Sequence, residues 1–182
     1  MRIIGGKFRS MKLIVHQGNT RPSSDRLKES LFNVLGQTCH GQVWLDLFGG
    51  SGAIALEAIS RMASYAVIND ADPMAVATIK QNVAKLKAES WVQVLNMDAA
   101  SAIEFLDDLK KQFDVIFLDP PYDMDIQPII DRMINTSLIK STTQIIIEQT
   151  IRDNEYHLSF GFDKIKERAV GKSIYRIYQK GE

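Results

Sequence analysis

Cysteine is nearly absent from this chain. Cys39 stands alone among 182 residues, so no intramolecular disulfide can brace the fold and its stability has to come from an apolar core. Histidine is scarce as well: His16, His40 and His157 are scattered without paired ligand spacing, and we expect chemistry without a metal. No apolar run approaches the roughly 20 residues needed to cross a bilayer. Met1-Arg2-Ile3-Ile4-Gly5-Gly6 lacks the long apolar segment of a secretion signal. A cytoplasmic protein with no membrane partner is the expectation. Internal repeats, low-complexity tracts and long linkers are also missing. The chain reads as one domain over residues 21–182 with a small appendage over residues 1–20, and nothing in it calls for more than a monomer.

Net charge is lacking too, because 22 basic and 22 acidic residues cancel. Their placement is uneven. Residues 1–28 hold Arg2, Lys7, Arg9, Lys12, Arg21, Arg26 and Lys28 against Asp25 alone. Residues 164–180 hold six cations against Glu167, and the stretch between has 9 basic and 19 acidic residues. Basic ends on an acidic middle suit an anionic macromolecule that meets one part of the surface; a chance asymmetry would look the same.

What the chain does contain is a regular alternation. Short β-branched and apolar runs at 2–4 and 12–16, around Gly5-Gly6-Lys7, read as a hairpin-like extension. From Pro22 to Leu35, Leu27, Leu31, Phe32, Val34 and Leu35 recur at helical spacing, with Ser23, Ser24 or Asp25 available as cap. Strands then read at Val43–Leu47, Ala66–Asn69, Trp91–Leu95, Phe113–Leu118 and Gln144–Glu148, separated by helices at Ala53–Met62, Pro73–Leu86, Ala99–Leu109 and 127–135. Two final strands, 162–170 and 173–179, turn at Gly171-Lys172. This is the pattern of an α/β protein: a parallel sheet covered by helices on both faces, closed by an antiparallel hairpin.

Asp46-Leu47-Phe48-Gly49-Gly50-Ser51-Gly52 lies where the first strand hands over to the first helix of the alternation. Gly50, Gly52 and Ala55 match the small-residue turn that lets a ligand approach backbone, and open α/β sheets bind ligands at that end of their strands. Asp70, 20 residues after Gly50, is placed to accept from both ribose hydroxyls of a nucleoside, with Asp72 competing for the role. Asp98 follows the third strand and suits an adenine amino group or, equally, the N-cap of the next helix. A dinucleotide and S-adenosylmethionine both carry adenosine, and these residues do not tell them apart.

Asp119-Pro120-Pro121-Tyr122 follows the fourth strand at the same rim. An exocyclic base amine is a poor nucleophile because its lone pair is delocalised into the ring. Acceptors aimed at its two N–H hydrogens favour a pyramidal nitrogen, and the Asp119 carboxylate and Pro120 carbonyl are such acceptors. Two prolines fix φ at about −65° and remove two amide donors, so the corner is stiff and presents carbonyls. Tyr122 offers a flat face for a base to stack on. An ordinary rigid turn has the same composition, but behind a glycine turn on the first strand the methyl-transfer reading is favoured.

These residues resemble the bacterial small-subunit (16S) rRNA guanine-N2 methyltransferases, the RsmD family. The similarity covers Arg2–Gly6, Thr20-Arg21-Pro22-Ser23-Ser24-Asp25-Arg26 through Asn33, Asp46 through Arg61, Asn82, Asp119–Tyr122 and Tyr175-Arg176-Ile177-Tyr178. It implies a seven-stranded Rossmann-like class I methyltransferase fold, S-adenosylmethionine as cofactor, and a guanine of 16S rRNA in the small ribosomal subunit as substrate. It implies Asp119, Pro120 and Tyr122 around the base, Asp46 and Gly50 near the methionine end of the cofactor, and Asp70 at its ribose. Phe48, Gly52, Ala71, Asp98, Ala99 and Asp119 itself complete the cofactor set we expect. Phosphate contacts are expected from Arg9, Lys12, Arg21, Arg26 and Lys28. For Arg21 and Arg26 a structural pair locking the first helix is the competing role. Phe8, Tyr175 and Tyr178 are expected in packing. The chain departs from the family at Ser10 (often glycine), Gly49 (usually alanine, a loss of one methyl expected to be harmless) and Asp70 (usually glutamate). A DNA or protein amino-methyltransferase with the same corner, or an idle RNA-binding assembly protein, are the alternatives.

Overall fold

The computed structural model describes residues 1–15, 25–159 and 161–181. Its elements are α1 (Asp25–Leu35), β1 (Val43–Asp46), α2 (Ala53–Ser60), β2 (Tyr65–Asn69), α3 (Pro73–Lys85), β3 (Val92–Leu95), α4 (Ala99–Asp108), β4 (Phe113–Leu118), α5 (Gln127–Met133), β5 (Ile139–Thr150), β6 (Phe162–Val170) and β7 (Ser173–Lys180). The seven strands form one sheet in the order β3-β2-β1-β4-β5-β7-β6. β1 to β5 pair in parallel, while β7 runs antiparallel to β5 and β6 antiparallel to β7. The α/β fold expected from the alternation is the fold found, and the strand order reverses between β1 and β4. That reversal opens a crevice above the strand ends, where the two connections diverge to opposite faces.

Strand periodicity assigns the two faces. Trp44, Ile68, Phe117, Ile146 and Tyr175 point into one apolar cluster with α1, α2 and α3, and Leu45, Val67, Ile116, Ile147 and Tyr178 into another with α4 and α5. On the first face Phe32 of α1 stacks on Trp44 at 5.6 Å between ring centroids, and the Ser30 and Tyr175 hydroxyls share a 2.8 Å hydrogen bond. Tyr175 and Tyr178 are buried and Phe8 half-buried, all in packing as expected. β5 begins five residues earlier than its apolar core suggests. Its first turn is irregular, with the Thr143 hydroxyl donating to the Phe113 carbonyl at 2.7 Å, and exposed Ser141 and Thr142 hide this stretch from an apolar reading.

The expected N-terminal hairpin is short: residues 1–3 pair antiparallel with residues 10–13, with one bridge at Arg2 and Lys12, around a turn of 3-10 helix at Gly6–Phe8. It is short because the amides nearer its turn bond to α2. Ile4 and Gly5 donate at 2.8 and 2.7 Å to the Glu57 carboxylate of α2, and Phe8 donates to the Ser60 hydroxyl at 2.9 Å. Further on, Ile14 exchanges two hydrogen bonds with the Asn82 amide of α3. The first 15 residues therefore form a strap along α2 rather than a free-standing ribbon. Ser10 in its turn adopts φ +70°, the left-handed region that favours glycine. Ser10→Gly should relieve that strain and raise the unfolding free energy by about 0.5–1 kcal/mol, read by denaturant titration. An unchanged or lowered stability would mean that the serine side chain compensates its backbone.

Candidate active site

The crevice at the β1–β4 reversal is a cavity of about 250 Å³. Its walls include Asp46, Phe48, Gly50, Asp70, Ala71, Asp98, Ala99, Asp119, Pro120 and Tyr122. The glycine turn and the proline corner, 67 positions apart between Gly52 and Asp119 in sequence, thus border one space. Gly50 has φ +56°, and a Cβ built on it would meet nothing within 4 Å, so its backbone faces open cavity. Its N–H donates to Asp70 Oδ2 at 2.8 Å, and Asp70 Oδ1 accepts from the Asp72 amide. Asp70 therefore shapes the loop and faces the cavity together. Asp72 caps α3 at the Met74 amide and, unlike Asp70, does not line the cavity.

Three expectations are corrected here. Gly52 does not line the cavity. It is the buried N-cap of α2 at φ +76°, packed under Ile68 and Leu56, and shapes the turn. Gly49 is not a harmless loss of a methyl. A Cβ there would lie 2.4 Å from Ile68 Cγ2, on a stiff β-branched side chain, so alanine cannot enter without moving β2 packing. Lys28 cannot meet phosphate: its side chain is fully buried, within 3.7 Å of Glu57 and 3.5 Å of Asp25, and its ammonium donates to the Arg2 carbonyl. Burial lowers its pKa, with the Glu57 and Asp25 charges opposing that shift.

Of the other expected phosphate ligands, Arg9, Lys12 and Arg26 are exposed, and Arg21 lies outside the described residues. Arg9 sits in the strap's turn beside Ser60, at the far end of α2 from the cavity. Eight residues of helix at about 1.5 Å each separate the two by roughly 12 Å. Asp98 does cap α4, accepting from the Ser101 amide at 3.0 Å and its hydroxyl at 2.6 Å, and those bonds hold its carboxyl below the usual range. It also lines the cavity, so both of its readings are compatible.

The carboxylates at the centre are electrostatically unusual. Asp46 is 2% exposed and, among the described residues, its Oδ1 has no hydrogen-bond partner. Burial, then the Asp70 charge, push its pKa to about 7, with the Ala55 amide opposing. Burial, then Glu148 and Asp46, hold the Asp119 carboxyl well above the usual range. Val15, Asn69, Phe117 and Met124 also line the cavity and were not anticipated. Period two along β4 puts Phe117 on the side of Asp119 and could have revealed it. Val15 carries no local signal, because Asn82 of α3 brings its neighbour Ile14 there. Asn82 also donates to the Ser51 carbonyl at 2.9 Å, tying strap, helix and glycine turn together. Glu148 was likewise invisible, since its place beside Asp119 depends on β4–β5 register.

Known proteins of this shape and sequence give the arrangement its context. A family model described as conserved hypothetical protein 95 matches residues 1–179. The ribosomal RNA small subunit methyltransferase D of Haemophilus influenzae is 34% identical over 184 residues, covering 98% of this chain and 93% of that protein. The protein of the same name from Escherichia coli K12 is 31% identical over 182 residues, with 99% and 90% covered. A solved structure described as a putative methyltransferase, yhhF, from Escherichia coli superposes with a TM-score of 0.87 at 30% identity, covering 99% of this chain and 97% of that one. Matched over nearly its whole length in sequence and in fold, the chain belongs to the RsmD family of ribosomal RNA small subunit methyltransferases.

Proposed function

We propose that the chain transfers a methyl group from S-adenosylmethionine to the exocyclic N2 of a guanine in 16S rRNA, as a cytoplasmic enzyme acting on the small ribosomal subunit. The observation that carries this reading is that Asp119, Gly50 and Asp70, from three separate loops, border the same cavity. The donor set fits the cofactor. Asp46, Asp70, Asp98 and Asp119 line the cavity, with no Lys or Arg among the described lining residues, which suits a ligand bearing a sulfonium and an ammonium group. Open space above Gly50 admits close contact with backbone, and the Asp46 oxygen without a partner is an acceptor in waiting for an ammonium.

When bound, the cofactor supplies an electrophilic methyl carbon on its sulfonium. The residues of the chain do the rest by placement. Asp70 accepts from ribose hydroxyls, and Ala71 and Ala99 leave room for the adenine between the β2 and β3 loops. Asp119 and the Pro120 carbonyl accept from the two N–H groups of the base amine, turning its lone pair toward the methyl carbon. Tyr122, 57% exposed at the rim, offers its ring to the base. The amine becomes acidic only as the new bond forms, so Asp119 need not take a proton first. A base held in paired RNA has to be extruded at a cost of a few kcal/mol, which exposed Arg and Lys contacts to phosphate offset.

Incubation with labelled S-adenosylmethionine and, separately, small subunits, naked rRNA and DNA should place label in 16S rRNA alone. Label only in DNA, or in no nucleic acid, overturns the proposal. The Asp46 environment adds a pH dependence. With a carboxyl pKa of about 7, the group is mostly neutral at pH 6 and must lose its proton to face a cation. Cofactor affinity should therefore rise by about tenfold between pH 6 and pH 8, measured by calorimetry. A flat profile would remove Asp46 from the cofactor's cationic end.

A further inference from the structure

Two carboxylates stand side by side at the rim of the sheet, and a third lies one pleat below them, Asp46 of β1 being level with Phe117 of β4. Leu118 of β4 pairs with Ile147 of β5, so Asp119 and Glu148 follow side by side. Phe117, Ile146 and Trp44 share one face, and Asp119, Glu148 and Asp46 each lie two residues further along their strands on that same face. The Glu148 charge is felt at Asp119, as is that of Asp46 from the other side. Asp46 belongs to the cofactor cavity, but Glu148 does not. Glu148 is buried and lines a second, shallow recess with Pro120, Pro121, Tyr122, Met124 and Tyr156. Asp119 faces the space over β1, Glu148 the recess over β5, and the proline corner with Tyr122 walls both.

If the methyl donor lies over β1, an amine on Asp119 has its base over β5, with Glu148 beside it. The neighbours of each base amine differ. Adenine N6 adjoins N1 and cytosine N4 adjoins N3, both acceptors with a lone pair in the ring plane. Guanine N2 adjoins N1–H, a donor. A carboxylate next to the amine position accepts from guanine N1–H and opposes the lone pair of the other two. With Asp119 and the Pro120 carbonyl it makes three acceptors for three consecutive N–H hydrogens, a pattern only guanine presents.

We propose that Glu148 is the specificity-determining residue that selects guanine, by accepting a hydrogen bond from its N1–H while Asp119 and Pro120 hold N2. This rests on the guanine-N2 reading above and deepens it. The test uses 2-aminopurine, which keeps the amine at C2 but has a lone pair in place of N1–H. The guanine labelled by the wild-type protein is mapped. Small subunits are then reconstituted on 16S rRNA joined from a synthetic segment with guanine or 2-aminopurine at that position. The wild-type protein should prefer guanine by about 100-fold or more in kcat/KM, as sites built to accept an N–H reject analogues lacking it. In Glu148→Gln the side-chain amide can turn to donate to the lone pair, and the preference should shrink by about tenfold or more.

The ratio is taken on one preparation, so a partly unfolded variant does not distort it, and cofactor binding by calorimetry should stay within about twofold of wild type, Glu148 lying outside that cavity. A wild-type protein indifferent to 2-aminopurine, or a Glu148→Gln variant with the wild-type ratio, overturns the role of Glu148 while guanine-N2 transfer stands. Label found on an adenine or cytosine amine overturns both.

Discussion

Replacing Asp119 by alanine is expected to slow methyl transfer by about 10³-fold, the scale on which removal of a preorganised charged acceptor acts on a reacting group. The loss should fall on the chemical step and leave the cofactor bound. Asp119 sits beside Glu148 and near Asp46, whose charges, after burial, raise the cost of ionising it. The Asp46 carboxyl is set by burial and by Asp70, so affinity for a cationic cofactor should hold. Asp119→Asn keeps an acceptor oxygen but loses the charge, and a smaller loss of about tenfold is expected. Single-turnover transfer from labelled cofactor, with the dissociation constant measured alongside, separates the two effects. Full activity in the alanine variant would refute the account of how the amine is activated.

A second large effect is expected far from the chemistry. Glu57 is fully buried in α2 and accepts from the Ile4 and Gly5 amides and from Arg61 Nε at 2.9 Å, with the buried Lys28 ammonium 3.7 Å away. Glu57→Ala orphans two backbone donors and leaves a buried ammonium with the half-exposed Asp25, and should cost about 3–5 kcal/mol in denaturant unfolding. Lys28→Met should cost less, about 1–2 kcal/mol, because Glu57 keeps Arg61 and both amides. If the two variants proved equally stable, the anchoring of the strap would have to reside elsewhere. In filter binding with rRNA, Lys28→Met should leave the salt dependence unchanged, since a lysine that releases no counterions does not contribute to the slope.

The strands and helices were legible because their residues repeat with the period of the element they form. Apolar runs such as Phe113–Leu118 mark strands covered on both faces, and Asp72-Pro73 and Asp98 mark helix starts by chemistry confined to a few neighbours. The glycine turn and the Asp-Pro-Pro-Tyr corner were legible for the same reason: each is a short run whose backbone requirements are written in its own residues. The same logic misled where a residue's fate depends on a distant partner. Lys28 reads as one more cation in a basic N-terminus, yet the cluster around it draws on Arg2, Asp25 and Glu57 from three separate segments. The amides of residues 4 and 5 carry no local sign that the Glu57 carboxylate of α2 will hold them.

Local periodicity and turn chemistry, then, determined the alternation, the sheet's mixed topology and the two motifs at its rim, because those depend on interactions within a few residues. Only the packed molecule decided which residues those motifs meet. Sheet register set Glu148 beside Asp119, the width of Ile68 excluded a methyl at position 49, and Asn82 drew Val15 to the cavity wall. Such pairings are fixed by distances across the fold, for which a linear chain carries no periodic signal.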